Sequence, residues 1–198
     1  MNDIPIGFLA GRFVAQLLID NLHKNLVFHN FHHTVYVVRG VRQISENLGL
    51  SEENKEILNL AAWFHDTGLT EVYLGHEEES KKIARRFLER NAYPEVRILQ
   101  VLACIDATKM PQQPQNLLEK VICDADMFHL ALPEYYHLQR LLLEEFRLVM
   151  HKKCTDEEWA NENLAFLNKH HFWTPYGQNV LQRGKDLNIK LCETMLVE

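Results

Sequence analysis

The stretch Ala61-Ala62-Trp63-Phe64-His65-Asp66-Thr67-Gly68 places a histidine and an aspartate side by side at the end of an apolar run. The apolar positions of this run recur with the i, i+3, i+4, i+7 spacing of a buried helix face: Ile57, Leu60, Ala61 and Phe64. Gly68 suits the left-handed position just past a helix end. His65 and Asp66 are costly to bury in the last turn of such a helix unless something satisfies them. A divalent cation would satisfy both side chains, and the negative end of the helix dipole favours a cation at this position. We therefore predict a metal site whose further ligands come from other parts of the chain.

The composition is that of an ordinary globular protein. A chain of 198 residues can build one full hydrophobic core, and its apolar (46%) and charged (24%) fractions are typical of such chains. The net charge of −6 argues against a surface that coats nucleic acid. The N-terminus lacks a basic leader, and no apolar run reaches the ~18 residues that would span a bilayer. We therefore expect neither nucleic acid nor a membrane as a partner.

The spacing of the cysteines indicates the cellular compartment of the protein. The four of them are widely spaced and form no CxxC pair. A chain of this size does not need disulfide staples, so free thiols in a reducing environment are expected. We predict a cytoplasmic protein.

The pattern along the chain predicts an all-α protein. Amphipathic runs are separated by residues that start or stop helices: Gly49, Ser51, Pro94, Pro133, Thr155 and Pro175. There is no strand-like alternation of useful length and no internal repeat. We predict a single helical domain over residues 1–198, in which the helices of residues 133–198 pack on a core formed by about residues 26–130.

Further candidate ligands lie in two other predicted helices. His33 stands one turn before Val37 on a core-facing helix, so it can point inward. Asp126 lies in an otherwise apolar stretch that also carries Asp124. Two imidazoles and two carboxylates around a divalent ion make a mixed N/O site of nearly zero net charge. This donor set favours Mn, Fe, Co, Ni or Zn over Ca, and Mg remains an option.

The ordered ligand set resembles the H…HD…D signature of the HD-domain superfamily of metal-dependent phosphohydrolases, in four residues: His33, His65, Asp66 and Asp126. The surrounding residues are similar to that family too, in three segments covered by about residues 26–130: Asn30-x-x-His33-Thr34, Ala61 to Gly68 and Asp124-Ala125-Asp126. The resemblance implies an all-helical fold with the metal buried between helices. It also favours His33 over its neighbour His32. It favours Asp126 over Asp124 because the family places its last metal ligand after an alanine.

A second resemblance concerns Phe28-His29-Asn30-Phe31-His32-His33. This segment is similar to the YHNxxH segment of cyclic-nucleotide phosphodiesterases, with phenylalanine in place of tyrosine. The first histidine of that segment is the proton donor to the leaving oxygen, which implies that His29 is a general acid. The sequence departs from those enzymes at Leu69, where they place a further histidine. His76-Glu77 resembles the histidine-glutamate pair of other subfamilies and could supply an extra ligand.

Together these features predict a metal-dependent phosphohydrolase, a phosphatase or phosphodiesterase. Its substrate would be a nucleotide or a related small phosphate ester. We expect Asp66, close to metal and water alike, to orient the attacking water or accept its proton. Four residues are further candidates for contacts beside the metal or with the substrate: His76, Glu77, Asp124 and Lys109. The number of metal ions and the oligomeric state, homodimer included, are left open.

Two alternatives come from other functional classes. HD relatives that bind a di-iron centre are oxygenases, but they need about six protein ligands, and the sequence offers four clear ones. A non-hydrolytic nucleotide or metal sensor needs only the binding site, because a metal site can be structural. Turnover of phosphate esters that disappears on Asp66→Ala would distinguish an enzyme from a sensor.

Overall fold

The computed structural model describes residues 4–195; residues 1–3 and 196–198, which belong to the predicted domain, lie outside the described part. The described residues form nine α-helices and no strand, which confirms the predicted all-α fold. The helices are α1 (Ile6–Asn21), α2 (Phe31–Asn47), α3 (Glu52–Phe64), α4 (His76–Arg90), α5 (Glu95–Ala107), α6 (Leu117–Asp126), α7 (Tyr135–Met150), α8 (Asp156–Lys169) and α9 (Gln182–Met195). Across residues 4–195 no helix is long and apolar enough to cross a membrane. That the whole chain is one domain stays a prediction.

Helix α3 is the centre of the packing. It contacts α1, α2, α4, α5 and α6. Six of its apolar side chains are completely buried: Ile57, Leu58, Leu60, Ala61, Ala62 and Phe64. Complete burial of one such large side chain contributes about 1.5–3 kcal/mol. The helix that leads to His65 and Asp66 is therefore enclosed by its neighbours, and this fixes the position of the pair.

Several helices start close to the predicted residues. Ser51 Oγ accepts a hydrogen bond from the backbone of Asn54 at 3.3 Å and starts α3. Thr155 and Glu158 form a capping box at the start of α8. After Asp126, α6 gives way to a 3₁₀ turn (Met127–Ala131), and α7 begins two residues after Pro133. Side-chain caps thus start four of the described helices, namely α2, α3, α6 and α8.

Gly68 has a role that differs from the predicted one. Helix α3 ends at Phe64 and the chain continues into a 3₁₀ turn (Thr67–Thr70), where the φ angle of Gly68 is not positive. The prediction of a left-handed cap was therefore wrong. A Cβ at Gly68 would lie 1.9 Å from the backbone oxygen of His76, and the Gly68 N–H donates to Ser80 Oγ at 2.8 Å. Glycine is required because the backbone of α4 occupies the space of a side chain.

The substitution Gly68→Ala tests this close approach. We expect it to lower the free energy of unfolding by about 3 kcal/mol, because the added methyl group meets a backbone atom that cannot rotate away. Gly49→Ala is the matched control. Gly49 has a φ of +63° and no atom within 4 Å of its would-be Cβ, so alanine there costs only the left-handed conformation, about 1 kcal/mol. Equal losses in chemical denaturation would contradict the steric explanation.

Candidate metal centre

Four side chains from three helix ends meet beyond the end of α3. His33 comes from the first turn of α2, His65 and Asp66 follow α3, and Asp126 ends α6. His33 Nε2 lies 3.2 Å from Asp126 Oδ1 and 3.5 Å from Asp66 Oδ2. His65 Nε2 lies 3.3 Å from both His33 Nε2 and Asp66 Oδ2. We call these four residues the His/Asp cluster; the structure brings together the residues that the sequence singled out as ligands.

Local hydrogen bonds aim the histidines into the cluster. Asn30 Oδ1 accepts a hydrogen bond from the backbone N–H of His32 at 2.8 Å and caps α2, which leaves His33 on the buried side of the first turn. His65 places Nδ1 2.8 Å from the backbone oxygen of Ala62. Only a protonated nitrogen can donate to a carbonyl oxygen, so in the neutral imidazole of His65 the lone pair is on Nε2, facing the cluster.

The cluster has the chemistry of a divalent-cation site. Among the residues that the structure describes, Asp66 Oδ2 has no hydrogen-bond partner although it is buried, which is costly for a carboxylate oxygen. His33, His65 and Asp66 each offer one ligand atom, and these atoms all lie within 4.8 Å of one another. Two neutral imidazoles and two carboxylates balance a doubly charged ion. These residues could therefore hold a divalent metal.

The electrostatics of the cluster favour a bound positive charge. Burial by itself lowers the pKa of His65, but the charges of Asp66 and Asp126 outweigh it and raise that pKa to about 9. Burial likewise raises the pKa of Asp66, yet His65 and His76 bring it well below its usual value. Asp66 and Asp126, whose pKa values both lie below the ordinary range, thus stay ionised and favour a proton on His65. A cation that takes the place of this proton would release it.

Three more of the predicted residues lie beside the cluster. His76 Nε2 is 3.2 Å from Asp66 Oδ1, and His76 Nδ1 is 2.9 Å from the backbone oxygen of Tyr73. Burial lowers the pKa of His76, but the hydrogen bond and charge of Asp66 raise it to about 9. Glu77 is buried and Lys109 is exposed, and both line the cavity next to the cluster. His76 therefore supports Asp66 directly.

Asp124 lies away from the cluster. Its carboxylate accepts hydrogen bonds from the backbone N–H groups of Trp173 and Thr174, at 2.8 and 2.9 Å, and from the Thr174 hydroxyl at 2.6 Å. Burial raises its pKa despite these bonds. Residues two apart on a helix point roughly 200° apart, so α6 presents Asp126 to the cluster and Asp124 to the 173–174 segment. Asp124 anchors the C-terminal part of the chain.

Glu145 is a residue that the sequence analysis missed. It is completely buried on α7, and it accepts hydrogen bonds from the backbone N–H groups of Phe28 and His29, at 2.9 and 3.0 Å, and from the Tyr73 hydroxyl at 2.9 Å. Its second contact with His29 joins Oε1 to Nδ1 at 2.5 Å. A signal was available, because Glu145 falls on the apolar face of α7, seven residues after Leu138. A carboxylate on such a face needs a buried partner.

The contact with Glu145 orients His29. Nδ1 is engaged by the carboxylate, which leaves Nε2 as the free ring nitrogen, and the ring lines the cavity 5.5 Å, centre to centre, from the ring of His33. Burial lowers the pKa of His29, but its hydrogen bond to Glu145 and the nearby carboxylates outweigh this effect, so the pKa is raised above 6.5. His29 therefore holds its proton more readily than a free imidazole does.

A cavity of about 560 Å³ opens from the cluster. Its walls include His33, Asp66 and Asp126, together with His29 and residues of α7 and α8. Cavities of roughly 300–1,000 Å³ are typical of small-molecule sites. A small molecule can therefore reach the cluster with one of its ends.

A known family model matches the part of the chain that carries this site. The family model described as HD domain matches residues 30–131, more than half of the chain and a range that contains the whole His/Asp cluster. A search of curated proteins and a search of solved structures found no match.

The His29–Glu145 pair predicts a pH dependence. The raised pKa of His29 contributes stability that is full below 6.5 and is lost as pH rises through the folded-state value. The lowered pKa of Glu145 contributes stability above 4.5 that is lost as pH falls. The difference in unfolding free energy between wild type and Glu145→Gln should therefore be largest, at about 2 kcal/mol, between pH 4.5 and pH 6.5.

The substitution Glu145→Gln should also lower the pKa of His29. NMR titration of the imidazole in chelator-treated protein measures this change. Glu144→Gln, an exposed neighbour on α7, is the matched control and should leave the titration unchanged. Identical His29 titrations in the wild type and Glu145→Gln would contradict the proposed pairing.

Proposed function

The chain belongs to the HD domain family, and on that premise we propose that it is a metal-dependent phosphohydrolase acting on a nucleotide or related small phosphate mono- or diester. One observation supports this function most directly. Within the described residues Asp66 Oδ2 is buried without a hydrogen-bond partner, beside two imidazole nitrogens that lie 3.3 Å apart. These nitrogen and oxygen atoms are suited to binding a cation, and they face a cavity that can admit a phosphate ester.

We assign the metal ligands to the His/Asp cluster. His33, His65, Asp66 and Asp126 would hold a divalent transition metal, Mn, Fe, Co, Ni or Zn, with Mg as a further option, because imidazole favours the softer ions. Such an ion supplies Lewis-acid chemistry, in which it polarises a phosphoryl oxygen and makes water a stronger nucleophile at neutral pH. His76 would orient Asp66 through its contact with Oδ1.

Two residues would manage the protons of hydrolysis. Asp66 has one oxygen directed at the cluster and the other held by His76, so it is placed to orient the attacking water or accept its proton. His29 lines the same cavity and would donate its proton to the leaving alkoxide. Glu145 would keep His29 protonated and correctly oriented. Lys109, on the lining of the same cavity, would contact the phosphoryl group.

The test is hydrolysis of a panel of esters by protein loaded with Mn²⁺ or Zn²⁺: nucleoside monophosphates, cyclic nucleotides, alkyl phosphates, p-nitrophenyl phosphate and bis-p-nitrophenyl phosphate. We expect Asp66→Ala to abolish turnover. His29→Gln should lower kcat by about 10²–10⁴ for alkyl esters, whose leaving group needs a proton. It should affect p-nitrophenyl esters little, because p-nitrophenolate leaves without protonation.

Asp106→Ala is the matched control for Asp66→Ala, since Asp106 is an exposed carboxylate paired with Lys81 on the surface. It should retain wild-type turnover. Hydrolysis that persists in Asp66→Ala would contradict the assignment of that residue. Bound metal without turnover of any ester would instead favour the non-hydrolytic sensor.

A further inference from the structure

The cavity beside the His/Asp cluster extends between α7 and α8, where its lining changes from polar to mainly apolar. Near the cluster the lining is histidine and carboxylate, and farther away it is mainly apolar. The apolar part includes Leu130, Tyr135, Leu142, Phe146, Trp159 and Phe166. Leu142 is only half-buried although it lies between helices, because its side chain faces the cavity. The two parts form one continuous space.

The polar groups of the apolar part are already engaged with one another. The Trp159 Nε1–H donates to Gln139 Oε1, and Gln139 Nε2 donates to the backbone oxygen of Tyr136 at 3.0 Å. The Tyr135 hydroxyl donates to Asn163 Oδ1 at 2.5 Å. A polar ligand here would lose its bonds to water without gaining partners, which costs free energy. An apolar ligand would gain free energy by leaving water.

The charges on the lining are poorly suited to a polyphosphate. Two lysines and no arginine line the cavity among the residues that the structure describes. One of them, Lys152, pairs with Glu162 and lies 5.5 Å above the ring of Trp159. Carboxylates are more numerous there: Asp66, Glu77, Asp126 and Glu162. Apart from His29 and His76 beside the cluster, the cavity therefore offers little positive charge for a second or third phosphate.

We propose that the substrate is a phosphate ester of an apolar alcohol, aromatic or alkyl, with its phosphoryl group at the His/Asp cluster and its hydrocarbon part between α7 and α8. This inference rests on the proposed function and narrows its substrate class. Water forms the new P–O bond, the P–O bond to the alcohol breaks, and the alkoxide takes a proton, so the products of a monoester are the alcohol and inorganic phosphate. A nucleoside fits less well, because its sugar hydroxyls and base edges need hydrogen-bond partners.

The first experiment compares kcat/KM for methyl, butyl, hexyl and octyl phosphate and for adenosine monophosphate, using Mn²⁺-loaded protein. We expect kcat/KM to rise about fourfold with each methylene until the cavity is filled, and octyl phosphate to exceed the nucleotide. A second measurement uses methyl- and octylphosphonate, whose C–P bond is not hydrolysed. Calorimetry should show tighter binding of the longer chain, with a negative heat-capacity change.

Variants at Leu142 test whether the chain-length dependence arises in the apolar part of the cavity. Leu142→Asn should remove most of the advantage of octyl over methyl phosphate. Leu142→Phe, which keeps the site apolar and fills part of it, should shorten the longest chain accepted. Leu148→Asn and Leu148→Phe are matched controls on the same helix, because Leu148 is 38% exposed and is not on the cavity lining. Neither should alter chain-length selectivity.

The outcomes separate this inference from the proposed function. Hydrolysis without chain-length dependence, or with a preference for the nucleotide, would overturn the inference and leave the phosphohydrolase intact. No hydrolysis, but tighter octylphosphonate binding that Leu142→Asn weakens, would support the apolar site and overturn the phosphohydrolase. Equal binding of both phosphonates without hydrolysis would overturn both.

Discussion

Three buried ionisable side chains, His33, His65 and Asp66, meet the partly buried Asp126 at one point, and the structure around them depends on satisfying these charges. Protein interiors tolerate a buried charge only when it is paired and hydrogen-bonded. Here His33 Nε2 and His65 Nε2 lie 3.3 Å apart, and Asp66 Oδ2 is buried without a hydrogen-bond partner among residues 4–195. A divalent cation satisfies both imidazole lone pairs and the carboxylate oxygen at the same time. Folding and cation binding are therefore expected to be coupled, because the binding free energy of such a site is also folding free energy.

The remaining structure holds these groups in place through a few specific contacts. Gly68 lets the backbone of α4 approach closely, which brings His76 to Asp66. Asp124 ties the 173–174 segment to α6, next to the end that carries Asp126. Glu145 ties α7 to the segment before α2. The contacts of Asp124 and Glu145 join segments distant in sequence. Together the three contacts build a cavity with the cluster at one end and an apolar wall, formed by α7 and α8, at the other.

The sequence predicts the helices through local signals, namely periodicity and caps, and it predicts the His/Asp cluster through the resemblance of its ordered motif to the HD signature. What it misses depends on pairing between distant segments. Glu145 is separated from His29 by 116 positions, and Asp124 from Thr174 by 50. The role of Gly68 was mistaken for the same reason, since a glycine after a helix indicates a cap unless the approach of a later helix is known. Periodicity shows that a residue is buried, and it does not show which residue it contacts.

The most direct test of the central claim is metal analysis of the purified protein beside Asp126→Ala and Asp124→Asn. The two aspartates lie two residues apart on one helix, but only Asp126 reaches the cluster. We expect roughly one divalent transition-metal ion per chain in the wild type and in Asp124→Asn, and its loss in Asp126→Ala with the fold retained by circular dichroism. Absence of metal from all three proteins after reloading, or equal metal in Asp126→Ala, would contradict a metal centre built on the His/Asp cluster.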